Sequence, residues 1–212
     1  MPSSFTRNSM KTIYAFDFDG TITKSDTLLG FIGFVFGKPR MILGFLLNLP
    51  WLVLMKLGLY DNGKTKQRVF SHFFKGMTTD EFNSHCKRFA ESHKGIIRSE
   101  MNDLIYKLTE ERADIIVVSA SIVNWVQPFF NTENVCVIGT EAEENEGYLT
   151  GRFSTPNCYG LEKVRRLIDI RPDLDRYHIV AYGDSRGDRE LLAIANVAYY
   201  KGKTINSQQA SD

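Results

Sequence analysis

The stretch Thr12-Ile-Tyr-Ala-Phe-Asp17-Phe-Asp19-Gly20-Thr21 constrains the fold of this chain more than any other. Ile13, Tyr14, Ala15, Phe16 and Phe18 form an almost continuous apolar run, the pattern of a parallel strand covered on both faces, and Gly20 supplies the stop. Asp is a poor strand former, so two at this place need a reason. Ligands of open α/β sheets bind at the carboxyl ends of the strands, where Asp17 and Asp19 would lie. If the extended geometry continued, a side-chain period of two would point both carboxylates the same way. Close carboxylates repel unless a positive charge lies between them, and a divalent cation would supply it. The plain alternative is a polar strand end with Asp19-Gly20 as a turn, and the stretch alone does not separate the two.

A chain of 212 residues with 43% hydrophobic content and a net charge of +1 allows one sizeable core with room for a subdomain. It lacks the basic excess expected of a nucleic-acid binder. Cys86, Cys136 and Cys158 show no C-x-x-C spacing, which argues against a zinc site or disulfide framework and favours a reduced, cytoplasmic setting. Residues 1–10 carry no apolar signal-like run, and they and residues 201–212 are expected to be loose termini.

From Leu28 to Leu59 the chain is apolar on every side, broken at Gly37-Lys38-Pro39-Arg40 and at Asn48-Leu-Pro50. A helix apolar all round is either deeply buried or in contact with lipid. The uncharged run Met41 to Met55 is shorter than the roughly 20 residues a spanning helix needs. Two readings stay open: the core of a helical subdomain, or a surface that also docks on a bilayer or acyl chain, peripheral on the inner face of the membrane. Beyond it, Phe70, Phe73, Phe74, Met77, Phe82, Cys86 and Phe89 recur at helical spacing and read as core.

After Arg112 strands and helices alternate. Asp114 to Ser119, Asn134 to Ile138, Tyr177 to Gly183 and Asn196 to Tyr200 read as strands, Tyr148 to Phe153 as a hairpin arm, and Leu161 to Ile170 as an amphipathic helix. This alternation implies an α/β fold with a doubly wound parallel sheet. Residues 11–26 and 108–200 would form its core, and residues 27–107 a mostly helical cap inserted after the first strand. Parallel strands would bring Asp17, Asp19, Ser119, Asp184, Ser185 and Asp188 to one edge, with Lys163 at the start of a helix nearby. Carboxylates for a hard cation, with a hydroxyl and a lysine for an oxyanion, suit phosphoryl transfer.

At these residues the sequence resembles the haloacid dehalogenase superfamily of phosphohydrolases. Asp17-Phe-Asp19-Gly20-Thr21 is similar to its first motif, Val117-Val-Ser119 to its second, Lys163 to its third, and Gly183-Asp184-Ser185-Arg186-Gly187-Asp188 to its fourth, in order. The insertion looks like the cap of subfamily IB, which contains phosphoserine phosphatases. Ser119-Ala-Ser121 and Asn157 to Lys163 also resemble a bacterial branch that includes a phosphatidylglycerophosphatase. The resemblance implies a Rossmann-like core and a phosphatase acting on a phosphomonoester. Asp17 would be the nucleophile and Asp19 the acid/base. Mg2+ would be held by Asp17, the Asp19 carbonyl and Asp184. Ser119 and Lys163 would hold the phosphoryl oxygens, with Gly20, Thr21 and Ala120 beside the phosphate and Ser185 and Asp188 supporting from behind.

Substrate identity divides the sequence features. Asp26 sits where the phosphoserine enzymes place an acidic residue toward the substrate amine, while the Leu28 to Leu59 segment suits a lipid or other hydrophobic phosphomonoester. Arg68 is a candidate substrate contact from the cap. Two other classes remain. Gly58-Leu-Tyr-Asp-Asn-Gly63-Lys64-Thr65 satisfies the phosphate-loop pattern of nucleotide binders, although that loop should follow a buried strand. A non-catalytic, membrane-associating protein on the same scaffold would leave the filled catalytic positions without a purpose.

Overall fold

In the computed structural model, residues 10–130 and 133–206 are described. Strand β1 (Lys11–Phe16) leads through a wide turn at Phe18–Ile22 into helices α1 (Thr27–Phe36), α2 (Lys38–Lys56), α3 (Asn62–Phe74), α4 (Thr79–Ser92) and α5 (Ser99–Glu110). There follow β2 (Asp114–Ile122), the short α6 (Val123–Val126), β3 (Val135–Thr140), β4 (Ala142–Asn145) and β5 (Tyr148–Phe153). The chain continues through α7 (Leu161–Ile170), β6 (Tyr177–Gly183), α8 (Arg189–Ala193), β7 (Val197–Tyr200) and β8 (Lys203–Ile205).

The main sheet has the order β3-β2-β1-β6-β7-β8 and is parallel except for β8. β1 therefore lies in the interior of the sheet, hydrogen-bonded on both sides, which is why it tolerates so few polar residues. Ile13 and Ala15 pack with Leu167 and Leu191 on one face, while Phe16 packs with the helical insertion on the other. This is the doubly wound sheet expected from the alternation of strands and helices.

Lys201 to Asn206 is not the loose tail expected: β8 pairs antiparallel with β7. Lys201 and Gly202 both adopt positive φ, the turn geometry that matches strand twist in a two-residue hairpin. The loose ends expected at residues 1–9 and 207–212 lie outside the described residues.

The insertion and the sheet share one apolar core. Phe31 stacks on Phe74 at 5.5 Å and meets Phe82, Phe89 and Trp125 at 5.8, 5.3 and 5.1 Å between ring centres. The β4–β5 hairpin leans on the same insertion, with Gly76 and Leu149 donating backbone hydrogen bonds to Leu149 and Met77. The boundary drawn at residue 107 falls inside α5. The phosphate-loop pattern at Gly58 to Thr65 joins α2 to α3 and follows no strand; Asp61 caps α3 by accepting from the Lys64 amide at 2.8 Å, putting a carboxylate where a phosphate would have to sit.

α2 is not the buried core helix that the first of the two readings required. Only Gly44 and Asn48 are fully buried, while six large apolar residues between Ile42 and Val53 are exposed. Among the described residues, α2 is the one helix long and apolar enough, by length and composition, to cross a membrane. It is longer than the uncharged run suggested, because Lys38, Pro39 and Arg40 already form its first turn.

Gly44 fixes how α2 meets α3: a Cβ there would lie 2.2 Å from the Phe73 ring. Phe73 is itself held between Phe36 and Phe45, so it has little room to withdraw. Gly44→Ala should destabilise the protein by about 1–3 kcal/mol, read as a fall in Tm of several degrees by thermal unfolding. An unchanged Tm would show that the contact is loose.

Candidate active site

The carboxyl end of β1 opens on a cavity of about 690 Å3 reached by Asp17, Asp19, Lys163 and Asp184. Asp17 is 6% exposed and its amide continues the sheet by donating to the Tyr182 carbonyl at 2.9 Å. The strand does not continue to Asp19. The wide turn, with Gly20 at φ +86°, swings the second carboxylate toward α1, so the two do not line one strand face as the period-two reading supposed.

Lys163, at the first turn of α7 and 1% exposed, donates from Nζ to Asp17 Oδ1 at 2.5 Å and to Asp188 Oδ1 at 2.6 Å. The other Asp188 oxygen accepts from the Asp184 and Ser185 amides and from the Ser185 hydroxyl. Asp188 is thus a saturated support that fixes the lysine. Burial works against the Lys163 charge, but Asp17 and Asp188 outweigh it and hold the ammonium above its usual range. Burial would likewise raise Asp188, yet Lys163 and Ser185 keep it below the usual carboxylate range. For Asp17 burial wins: its carboxyl is pushed up to about 7 despite Lys163, with Asp188 and Asp19 adding to the rise.

Asp19 is tethered on both oxygens. Oδ1 accepts from the Thr27 amide at 2.7 Å and the Thr27 hydroxyl at 2.6 Å, and Oδ2 accepts from the Ser121 hydroxyl at 2.5 Å. The Trp125 indole, a donor only, occupies Thr27 Oγ1 from behind at 3.2 Å, so the Thr27 proton points at Asp19. Oδ2 is then the oxygen that can carry a proton, because the Ser121 hydroxyl can reverse its role.

Asp184 follows β6 and accepts from Thr21 Oγ1 at 3.3 Å. A Cβ on residue 20 would come within 2.4 Å of Asp184 Oδ2, so Gly20 serves both the turn and the approach of that carboxylate. Ligand oxygens of Asp17, Asp184 and Asp188 lie within 4.8 Å of one another. With Asp188 saturated, Asp17 and Asp184 are the carboxylates that can face a cation. An all-oxygen donor set with burial on one side suits a hard divalent ion such as Mg2+.

Other expected residues fall less simply. Ser119 is 1% exposed, and its Oγ accepts from the Ser121 amide at 3.0 Å, bracing the irregular end of β2 where its register with β3 shifts rather than lining the cavity; Ala120 lines it instead. Asp26 stands at the rim and spends Oδ1 on capping α1 through the Leu28 amide. Arg68 points away: its guanidinium lies 4.3 Å from the centre of the Trp51 ring, outside the cavity lining. Lys66, two residues earlier and therefore on another side of α3, reaches the site and donates to the Ala120 carbonyl at 2.7 Å. Burial holds its ammonium below the usual lysine range, with Asp19 and Asp26 only partly offsetting. Arg98 braces the first turn through the Thr23 and Gly20 carbonyls, both at 3.2 Å. Sequence reasoning missed Thr27, Lys66 and Arg98. The helical periodicity of Thr65, Val69 and Phe70 was the signal that could have chosen Lys66 over Arg68.

The family model for haloacid dehalogenase-like hydrolases matches residues 14–193. Protein CicA of Caulobacter vibrioides is 32% identical over 193 residues, covering 89% of this chain and 85% of CicA. The chain belongs to the haloacid dehalogenase-like hydrolases. Among solved structures, a protein of unknown function from Bordetella pertussis Tohama I superposes with a TM-score of 0.75 at 16% identity, covering 90% of this chain and 89% of that one. A substrate-bound phosphoserine phosphatase complex gives 0.56 at 17% identity, covering 91% and 86%. These likenesses are of fold.

The raised Asp17 pKa sets the sign of a pH effect. Between its ordinary value of 3.8 and about 7, the folded state binds the proton more tightly than the unfolded chain, so stability falls as pH rises through that window. With chelator present, Asp17→Asn should lose less stability than wild type from pH 4 to 7 and should be more stable at pH 8, by about 1 kcal/mol or more, in urea titrations. Identical pH profiles would show that Asp17 is not the group responsible.

Proposed function

We propose that the protein is a magnesium-dependent phosphatase that hydrolyses phosphomonoesters with a hydrophobic alcohol part through an aspartyl-phosphate on Asp17. One observation carries this reading: the cavity that ends at Asp17, Asp19 and Lys163 has Leu28, Phe45, Leu52, Met55 and Val69 among its walls. In this reading residues 27–107 act as a cap over the core of residues 11–26 and 108–200, and the enzyme is cytoplasmic, with the Leu28 to Leu59 segment in contact with lipid.

Lys163 engages Asp17 Oδ1, which leaves Oδ2 as the attacking oxygen. As Oδ2 bonds to phosphorus, the bond from phosphorus to the ester oxygen breaks, and the proton on Asp19 Oδ2 passes to the leaving alcohol. Water then attacks the phosphorus, Asp19 takes the water proton, and the Asp17 carboxylate is released with inorganic phosphate. Lys163 offsets charge on the phosphoryl group throughout. Mg2+ held by Asp17, Asp184 and the Asp19 backbone carbonyl would supply the positive charge that lets a carboxylate approach an anionic ester.

A second reading, a small zwitterionic ester such as phosphoserine, is favoured by Asp26 and Lys66, opposite charges on the cavity wall. It is the weaker of the two, because the Asp26 carboxylate already caps α1 and the apolar wall would go unused.

A panel of phosphoserine, sugar phosphates and long-chain phosphomonoesters in mixed micelles, with and without chelator, tests the proposal. Long-chain esters should give kcat/KM at least about tenfold above phosphoserine, EDTA should abolish turnover, and Asp17→Asn should lose about 10^4-fold or more. Turnover of small polar esters alone would overturn the substrate reading, and equal rates in wild type and Asp17→Asn would overturn the mechanism.

A further inference from the structure

We propose that the outer face of α2 seats the protein on an anionic bilayer, with the helix lying in the headgroup plane, so that ester substrate reaches Asp17 from the lipid; the last clause rests on the hydrophobic-ester reading above. α2 is apolar on two sides that serve different neighbours. Phe45, Leu52 and Met55 turn inward and line the catalytic cavity. Ile42, Leu43, Leu46, Leu47, Val53 and Leu57 are between 47% and 65% exposed. At about 100° per residue, those within α2 and Leu57 at its carboxyl cap fall within one arc of the helix, away from the side of Gly44 and Asn48, so they form one continuous face. Single exposed leucines are ordinary in proteins, but a contiguous patch of this kind marks a surface that is covered in use.

Charge identifies what covers it. No acidic residue occurs between Asp26 and Asp61, while the exposed Lys38 and Arg40 stand at the start of the helix and the exposed Lys56 at its end. An anionic leaflet satisfies both features at once, with the apolar face below the headgroups and the cations level with lipid phosphates. A second copy of the chain would satisfy only the first. An antiparallel two-fold contact would bring Lys38 and Arg40 of one copy beside Lys56 of the other, and a parallel one would oppose like ends, so each juxtaposes cations.

The aromatic flank fits the same plane. Trp51 and Tyr60 pack at 5.0 Å between ring centres near the carboxyl end of α2, and Arg68, which has no place in the cavity, lies over Trp51. Indole, phenol and guanidinium groups are the side chains that favour the boundary between lipid and water. Crossing the bilayer is opposed by the inner face. Gly44 and Asn48 are buried, and Phe73 closes on Gly44, so α2 would have to abandon the shared core to span.

Sedimentation of the full chain with vesicles, without any substrate, tests the seating. Vesicles of phosphatidylcholine with phosphatidylglycerol at about 2:1 should bind about tenfold or more tightly than phosphatidylcholine alone. Leu43→Glu with Leu47→Glu, and separately Lys38→Glu with Arg40→Glu, should each weaken that binding by about tenfold or more. Both double variants should hydrolyse a water-soluble short-chain phosphomonoester within about twofold of wild type, which shows that the site is still folded. Absence of vesicle binding, indifference to vesicle charge, or unchanged binding by the folded variants would overturn the proposal. A solution dimer that is lost in the leucine variant, with no vesicle binding, would assign the face to a second copy instead. Charge-dependent vesicle binding combined with turnover of phosphoserine alone would uphold the seating while removing the hydrophobic-ester reading on which the route to Asp17 depends.

Discussion

The contact between Lys163 and the carboxylates of Asp17 and Asp188 is the interaction on which the site depends. Three charges are buried within hydrogen-bonding distance, and the sheet would not tolerate any one of them alone. Removing Lys163, the one cation of the set, should typically cost about 3–5 kcal/mol, because the carboxylates left behind are stranded rather than because the pairs were strongly stabilising. The fold invests in holding the set together. Asp17 rides on the interior strand β1, Lys163 on the first turn of α7, and Asp188 is pinned by amides and a hydroxyl from the turn after β6. Three segments far apart in sequence meet only if the parallel order of β1 and β6 is kept.

Asp19 performs a different service, because its bonds run toward the insertion. Thr27 begins α1, Ser121 lies one residue before the end of β2, and Trp125 belongs to α6, yet all three act on one carboxyl group directly or through Thr27. The position of the first cap helix is thereby tied to the orientation of the acid/base proposed here. A displacement of α1 that broke the Thr27 bonds would also free the carboxyl, so in the proposed mechanism the placement of the helical insertion and proton transfer would be mechanically linked.

Much of this was legible in the sequence, for a physical reason. An interior parallel strand reads as an apolar run, and a carboxylate at its end is conspicuous against that background; Asp17 and Asp184 could therefore be found one strand at a time. Lys163 was found through a motif and not through its pattern, since a lysine in the first turn of an amphipathic helix is ordinary until its partners are placed. Polar groups that act through hydrogen bonds between elements, Thr27 and Ser121 above all, carry no local signature of that role. Arg68 and Lys66 show the cost of reasoning without a helix phase: residues two apart on α3 point to different neighbours. Strand β8 was missed because three residues after a Lys-Gly turn carry too little apolar pattern to distinguish an edge strand from a tail.

The apolar segment was the least legible part, and the reason bears on what the cap does. Hydrophobicity on every side says that a helix meets little water, but it does not say which side meets protein. In the folded chain Gly44 and Asn48 settle that: the smallest residue and the one buried amide of α2 mark its inner seam, and the amide satisfies itself on the Gly44 carbonyl. Once that seam is fixed, the cavity-lining residues and the exposed leucines fall on separate faces of the same helix. About half a turn of rotation would exchange the cavity wall for a solvent-facing one, so the steric demand of Phe73 at Gly44 governs both the shape of the cavity above Asp17 and the surface that the helical insertion presents outward.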